Sequence, residues 1–292
     1  MDSVISYLRI PLLASTGIAT VLSGVLYFKQ NDIIYPRNLP PGARTDVPRP
    51  TQFGISDFEE LMIPTPDGES LSAFFIRPAN KQHARNVTFL MFHGNAGNIG
   101  YRLPIAKILE EELGCNILML QYRGYGLSTG TPNEKGLAID AQTGLDYIRQ
   151  RAELRGTKIV LYGQSLGGAV SIGLAAKNQE QGDIAGVVLE NTFLSIRKLI
   201  PSEEVMPKIK QFPILFLSGL RDEIVPPSHM AKLFDLCVSK AKVWREFPNG
   251  SHNDTVAEPL YFEYIEDFLR SHVLRKPNSE KPSPEKTALS KD

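Results

Sequence analysis

The sequence predicts an α/β fold, a mostly parallel sheet of about eight strands flanked by helices. Three observations lead there. Short runs such as VTFLMF (Val87–Phe92), NILML and PILFL are apolar at every position, as strands buried on both faces require. Between these runs, apolar side chains recur at helical spacing. The two patterns alternate along the chain, which is the organisation of consecutive βα units.

Phe53–Ile63 and Ser70–Arg77 flank the turn Pro66-Asp67-Gly68 and read as a hairpin. Further strands are expected at Val87–Phe92, Asn116–Tyr122, Lys158–Tyr162, Gly186–Leu189, Pro213–Leu217 and Lys242–Phe247. Ile105, Ile108, Leu109 and Leu113 form one helical stripe. Leu137, Ala141, Leu145, Ile148 and Ala152 form a second, and Tyr261, Tyr264, Ile265, Phe268 and Leu269 the last. Cys237 shares a stripe with Met230, Leu233 and Phe234 and reads as a small buried hydrophobe. With Cys115 as the only other cysteine, this is no disulfide scaffold.

The ends differ from this pattern. Ile10–Phe28 runs nineteen residues without a charge, between Arg9 and Lys29. As a helix it spans about 28 Å, close to the apolar thickness of a bilayer. It ends in bulky Leu-Tyr-Phe, unlike a cleavage site, so residues 1–30 read as a retained single membrane anchor. Lys29, Arg37 and Arg44 mildly favour a cytosolic location for the chain beyond the span. Residues 31–50 are rich in proline and read as a stiff linker. The folded domain is expected over 51–274, and 275–292 as a disordered polar tail.

Composition narrows the function. The 292 residues carry 32 basic and 32 acidic side chains, giving a formal net charge of zero. No basic patch for nucleic acid is implied. No metal-ligand cluster, phosphate-cradling loop or dinucleotide fingerprint occurs, so no cofactor is expected.

In an open parallel sheet, active sites lie at the carboxyl ends of strands. After Lys158–Tyr162 comes Gly163-Gln164-Ser165-Leu166-Gly167. This G-x-S-x-G on a strand-to-helix turn lifts a serine hydroxyl clear of the sheet, with glycines where side chains would collide. A serine needs a base. Of five histidines, His252 lies in Gly250-Ser251-His252-Asn253-Asp254, directly after a strand, whereas His83, His93, His229 and His272 are less suitably placed. The base needs an acid to orient it. Asp222, after PILFL, is best placed, with Glu190 and Glu223 as rivals. The chain order Ser165, Asp222, His252 is that of the α/β-hydrolases. The oxyanion then falls to the backbone N–H of Leu166 and, from His93-Gly94-Asn95-Ala96-Gly97-Asn98, that of Asn95.

Five motifs in order, HGNAGN, RGYGLSTG, GQSLGG, GLRDEIVPP and GSHND, resemble the α/β-hydrolase superfamily. Within it, they are most similar to the membrane-anchored bud-emergence (Bem-type) family, over about residues 20–270. The resemblance implies a serine hydrolase acting on a carboxylic ester or thioester. It also implies a lipidic acyl group, since neighbouring families remove palmitate from protein cysteines. Such an enzyme would be a single-pass protein of an endomembrane such as the endoplasmic reticulum. The alternative expectation is a non-catalytic membrane-bound interaction protein on the same fold.

One departure supports that alternative. Only Leu194–Gln211 joins GVVLENTF to PILFL, where relatives usually carry a further helix near the pocket. The expectation is that a pocket-wall segment is missing. Arg123 is expected to brace strand ends. Asn86, Asn249 and Asn253 fit the glycosylation pattern. The last two flank His252 and are expected to be unused.

Overall fold

A computed structural model describes residues 20–24, 29–195 and 202–275. Eight strands form one sheet: β1 Phe58–Pro64, β2 Ser70–Ile76, β3 Val87–Phe92, β4 Asn116–Leu120, β5 Lys158–Gln164, β6 Ile184–Glu190, β7 Ile214–Gly219 and β8 Lys242–Phe247. Their order is β1-β2-β4-β3-β5-β6-β7-β8. The pairs β1–β2 and β2–β4 are antiparallel, and the remaining neighbours are parallel. The expected first strand starts late. Pro50–Phe53 forms a 3-10 turn that Gly54 ends at φ 77°, so extended pairing begins only at Phe58.

Among the described residues, the helices beyond residue 50 are α1 Leu103–Glu111, α2 Glu134–Gln150, α3 Leu166–Asn178, the short α4 Ser202–Val205, α5 Pro227–Leu236 and α6 Tyr261–Phe268. They cover both faces, because successive residues of a strand point to opposite sides. Phe89 and Met91 of β3 join one core with Leu103, Ala106 and Leu109 of α1 and Ile265 and Phe268 of α6. Leu90 and Phe92 join the other, with Leu145 of α2, Ala169 and Ile172 of α3 and Leu233 of α5. Every residue of β3 is buried, as the apolar run requires. Both cysteines are buried and free, and burial pushes the Cys115 thiol up to about 12.

The chain order reverses at β3: β4 lies to one side of it and β5 to the other. That switch point opens a crevice at the strands' carboxyl ends, where the loops after β3 and β5 must meet.

The proline-rich stretch is held more closely than a stiff spacer would be. Residues 29–34 are helical, and Tyr35 and Ala43 are buried. Asn98 Nδ2 donates to the carbonyls of Ala43 and Asp46, at 3.0 and 2.9 Å. Gly97 N–H donates to Leu39 O at 2.8 Å, and Asn95 Nδ2 to Ile34 O at 2.6 Å. A side chain on Gly100 would begin 2.5 Å from Pro48, so only glycine admits this strap. Among the described residues no helix is long and apolar enough to cross a membrane. The expected span Ile10–Phe28 lies outside them apart from residues 20–24, as does the tail beyond residue 275.

Arg123 braces the hairpin as expected, with a helix as its second anchor. Its guanidinium grips Asp67 of the β1–β2 turn at 2.7 and 3.0 Å and Asp140 of α2 at 2.8 and 2.9 Å. The hydrogen bonds from Arg123 hold the Asp67 carboxyl down at about 2. Asp140 is fully buried, so removing its partner strands a charge. Arg123→Ala is expected to cost about 3–5 kcal/mol in urea unfolding, and a loss below about 1 kcal/mol would show the pair to be dispensable.

Candidate active site

Ser165 sits where β5 turns into α3, at φ 52° and ψ −115°. That conformation is costly for any side-chain-bearing residue, about 1–3 kcal/mol. It is held by close packing that only glycine permits. A Cβ on Gly163 would lie 2.2 Å from Gly167 O, and one on Gly167 would lie 2.0 Å from Phe92 O. Ser165 N–H donates to Glu190 O at 2.9 Å, and Thr192 Oγ1 donates to Ser165 O at 2.6 Å. The elbow is therefore fixed from β3 and β6 as well as from its own strand.

The loops after β7 and β8 bring the other two residues to it. His252 Nε2 is 3.1 Å from Ser165 Oγ, and His252 Nδ1 is 2.7 Å from Asp222 Oδ2. Asp222 Oδ1 accepts the backbone N–H groups of Ile224 and Val225 at 2.9 and 2.7 Å, which fixes the carboxylate. Serine, histidine and aspartate are 7%, 5% and 9% exposed, so their mutual hydrogen bonds are shielded from water yet reachable from the cleft.

The rival acids are otherwise engaged. Glu190 is fully buried and accepts from Tyr162 and Tyr261, and burial raises its pKa. Glu223 Oε2 accepts the backbone N–H of His252 at 3.3 Å, so it steadies the base loop without reaching the ring. His83 binds Glu112 O, and His272 packs on Phe268. His229 lines the cleft and accepts from Leu194 N–H at 3.4 Å.

Asn95 and Leu166 both border Ser165. Neither backbone N–H has a hydrogen-bond partner among the described residues. Tyr125 OH lies 3.1 Å from Asn95 O and 2.8 Å from its Oδ1, so this hydroxyl and the Ile34 carbonyl hold Asn95 from two sides. His93 packs beneath that loop. Its Nδ1–H donates to Gly94 O, so Nε2 accepts from Gln121 Nε2 at 2.7 Å. The cleft above Ser165 has a volume of about 550 Å³, and Phe193, Ile224, Val225 and Pro226 give it an apolar side. Asn253 is also on its wall, so the glycan expected to be absent there would fill the mouth.

Sequence reasoning missed Asn191. At φ 45° it donates to Ser251 O, His252 O and Thr255 Oγ1 and accepts from Gly219 N–H. It ties the loop that follows β7, with Asp222, to the loop that carries His252. The only signal was a polar residue directly after an apolar strand.

A turn-borne serine, a histidine and a buried aspartate at the carboxyl edge of a mostly parallel sheet define the hydrolase class of α/β protein. Comparison with known proteins agrees. The family model of the alpha/beta hydrolase fold matches residues 87–212. Protein bem46 of Schizosaccharomyces pombe is 40% identical over 297 aligned positions, covering 95% of this chain and 98% of its own. The uncharacterized membrane protein YNL320W of Saccharomyces cerevisiae is 41% identical, covering 87% and 93%. Among solved structures, the esterase Pf2001 of Pyrococcus furiosus shares the fold at TM-score 0.64 and 17% identity, covering 77% of this chain and 96% of its own. The chain belongs to the Bem46 family of α/β-hydrolase-fold proteins. The bem46 alignment takes in about 277 residues of this chain, so some 20 of its 297 positions have no counterpart here.

Two outcomes are expected. Gly167→Ala should destabilise the fold by about 3 kcal/mol or more, since its methyl meets backbone rather than a yielding side chain. Unchanged thermal unfolding of the variant would contradict this. Burial, with Arg102 nearby, pulls His93 down to about 3, from about 6.5 in the unfolded chain. Between those values the unfolded state binds a proton that the native state does not, so stability falls as the pH drops from about 6.5 toward about 3. The slope is about 1.4 kcal/mol per pH unit. His93→Gln should flatten the pH dependence of urea midpoints by that amount, and an unchanged slope would rule the group out.

Proposed function

We propose that the protein is a serine hydrolase that cleaves carboxylic esters or thioesters. The observation that supports this most is the hydrogen-bonded chain Ser165–His252–Asp222 beside two unpaired backbone N–H groups. Ser165 Oγ attacks the acyl carbonyl while His252 Nε2 takes its proton. Asp222, held through Oδ1 by two backbone amides, keeps the ring oriented and stabilises the imidazolium. The carbonyl oxygen becomes negative and is met by the N–H groups of Leu166 and Asn95, which are fixed before the charge appears. His252 then returns its proton to the leaving alcohol or thiol. In the second half it activates water, and the acyl-enzyme is hydrolysed.

A lipidic acyl group, including a palmitoyl thioester on a protein, suits the apolar side of the cleft. It also suits membrane anchoring through Ile10–Phe28, which the hydropathy of that segment favours. The name of the Saccharomyces cerevisiae relative points the same way. A single-pass position in an endomembrane goes with that reading. A loss of the pocket-wall segment expected at Leu194–Gln211 would favour a second reading, a non-catalytic interaction protein that retains the fold.

A fluorescent fluorophosphonate probe separates the two. Wild type is expected to be labelled and Ser165→Ala not, with p-nitrophenyl ester turnover falling by about 10⁴-fold or more in the variant. A folded wild-type protein that resists labelling would leave the second reading standing.

A further inference from the structure

Arg102 has no part in the chemistry above. It ends the turn Ile99–Arg102 before α1, is half-buried under the loop Gly94–Gly97, and lines the cleft. Several other buried or part-buried arginines hold carboxylates, Arg123 with Asp140, Arg149 with Asp183, Arg151 with Glu59 and Arg85 with Glu266, while Arg44 and Arg245 donate to backbone carbonyls. Arg102 does neither. Among the described residues its guanidinium makes no hydrogen bond or ion pair and lies over no aromatic ring. Its nitrogens still reach the cleft, none being among the fully enclosed unpartnered atoms, yet a part-buried cation that the fold leaves without a counter-anion calls for an explanation.

Internal partners do not supply one. Glu190 contributes to the field at Arg102, but its oxygens are already held by Tyr162, Tyr261 and Gln164. Burial raises its pKa, moving it toward the neutral form, so it offsets the arginine charge less. A small cavity of about 10 Å³ adjoins Arg102, Tyr162 and Gln164. It has room for about one water, which could take one or two of the five donors.

The position of the guanidinium suggests what it is for. A methyl group built on Gly94 would lie 3.4 Å from Arg102 Nη2 and 3.8 Å from Ser165 Cβ, so these two atoms are at most about 7 Å apart. Once a carbonyl carbon is in reach of Ser165 Oγ, the space left toward Arg102 holds only a few atoms. A guanidinium fork matches the two oxygens of a carboxylate or phosphate.

We propose that Arg102 binds an anionic substituent, a carboxylate or a phosphate monoester, that the substrate carries a few bonds from its scissile carbonyl. This rests on the serine-hydrolase reading of the same cleft and narrows its substrate class to anionic esters or thioesters. The anion can sit on the acyl side, as in a dicarboxylic half-ester, or on the leaving-group side, as in an acylated phosphoalcohol. Burial lowers the Arg102 pKa, yet an arginine remains cationic at neutral pH.

Two matched substrate pairs test this and separate the sources. The acyl-side pair is p-nitrophenyl butyrate with mono-p-nitrophenyl succinate. The leaving-group pair is monobutyrylglycerol with its phosphate monoester. The quantity read is the ratio of kcat/KM, anionic over neutral, which cancels any general loss of activity. In wild type one pair is expected to show a ratio of about ten or more. Arg102→Gln should bring that ratio to about one, and Arg102→Lys should restore part of it. Equal rates within both wild-type pairs, or a ratio untouched by Arg102→Gln, would overturn the proposal. So would an equal fall in both members, which would assign Arg102 to support of the oxyanion loop.

A binding arm does not depend on turnover. Ser165→Ala protein is titrated calorimetrically with inorganic phosphate and with succinate, then compared with the Ser165→Ala, Arg102→Gln double variant. One anion is expected to bind, about tenfold or more weaker in the double variant. No binding of either anion to Ser165→Ala would sink the proposal. Failure of wild type to hydrolyse even the neutral esters would count against the hydrolase reading instead, while the titration still decides Arg102.

Discussion

The structure turns on the tight bend at Ser165. A residue with a side chain is held at φ 52° between a buried strand and a buried helix, and everything within reach is arranged to keep it there. The carbonyl of Phe92 lies where a Gly167 side chain would stand. The carbonyl of Glu190 takes the serine N–H, and the hydroxyl of Thr192 donates to its C=O. These contacts come from β3 and from the end of β6, so the bend exists only when the parallel sheet is assembled in this order. The two-sided core supplies the stability that offsets the strain.

Asp222 and His252 reach Ser165 on separate loops, and separate loops drift unless they are joined. Asn191 joins them, with its amide shared among Gly219, Ser251, His252 and Thr255. The fit is close: a side chain on Gly219 would meet Thr255 Oγ1 at 2.3 Å and Gly250 O at 2.6 Å. The two loops are therefore fastened to each other at their bases. This explains how a histidine and an aspartate thirty positions apart keep a 2.7 Å hydrogen bond at a cleft wall.

Much of this was legible in the sequence. Unbroken apolar runs mark strands covered on both sides, and the structure buries them on both sides. Ser165, His252 and Asp222 could be grouped because few residue types suit such chemistry and each follows a strand, and the structure brings the three together. What stayed hidden depends on partners distant in the chain. Proline-rich composition reads the same in a free spacer and in the strap over Asn95 and Asn98, since only the strap's partners distinguish them. Asn191 and Tyr125 look like ordinary loop residues until the residues they hold are known. The first strand reads five residues early because Phe53 and Ile55 are apolar for packing beside α1, not for pairing in the sheet. The order in which β3 lies between β4 and β5 has no local signal, because it is set by crossovers rather than by any single segment.

The strap also bears on how the protein can be cut. Pro36 forms part of the cleft wall, and the carbonyls of Ile34 and Leu39 hold the loop that carries Asn95. Residues that read as a tether are thus a wall of the binding site. A shortened form made for solubility should begin before residue 29. Beginning at residue 51, where the regular pattern starts, would leave a sheet with the same three site residues and an unfinished pocket. The stretch Ile34–Asp46 is bolted to the domain through Asn95, Gly97 and Asn98, as a bracket is rather than a leash.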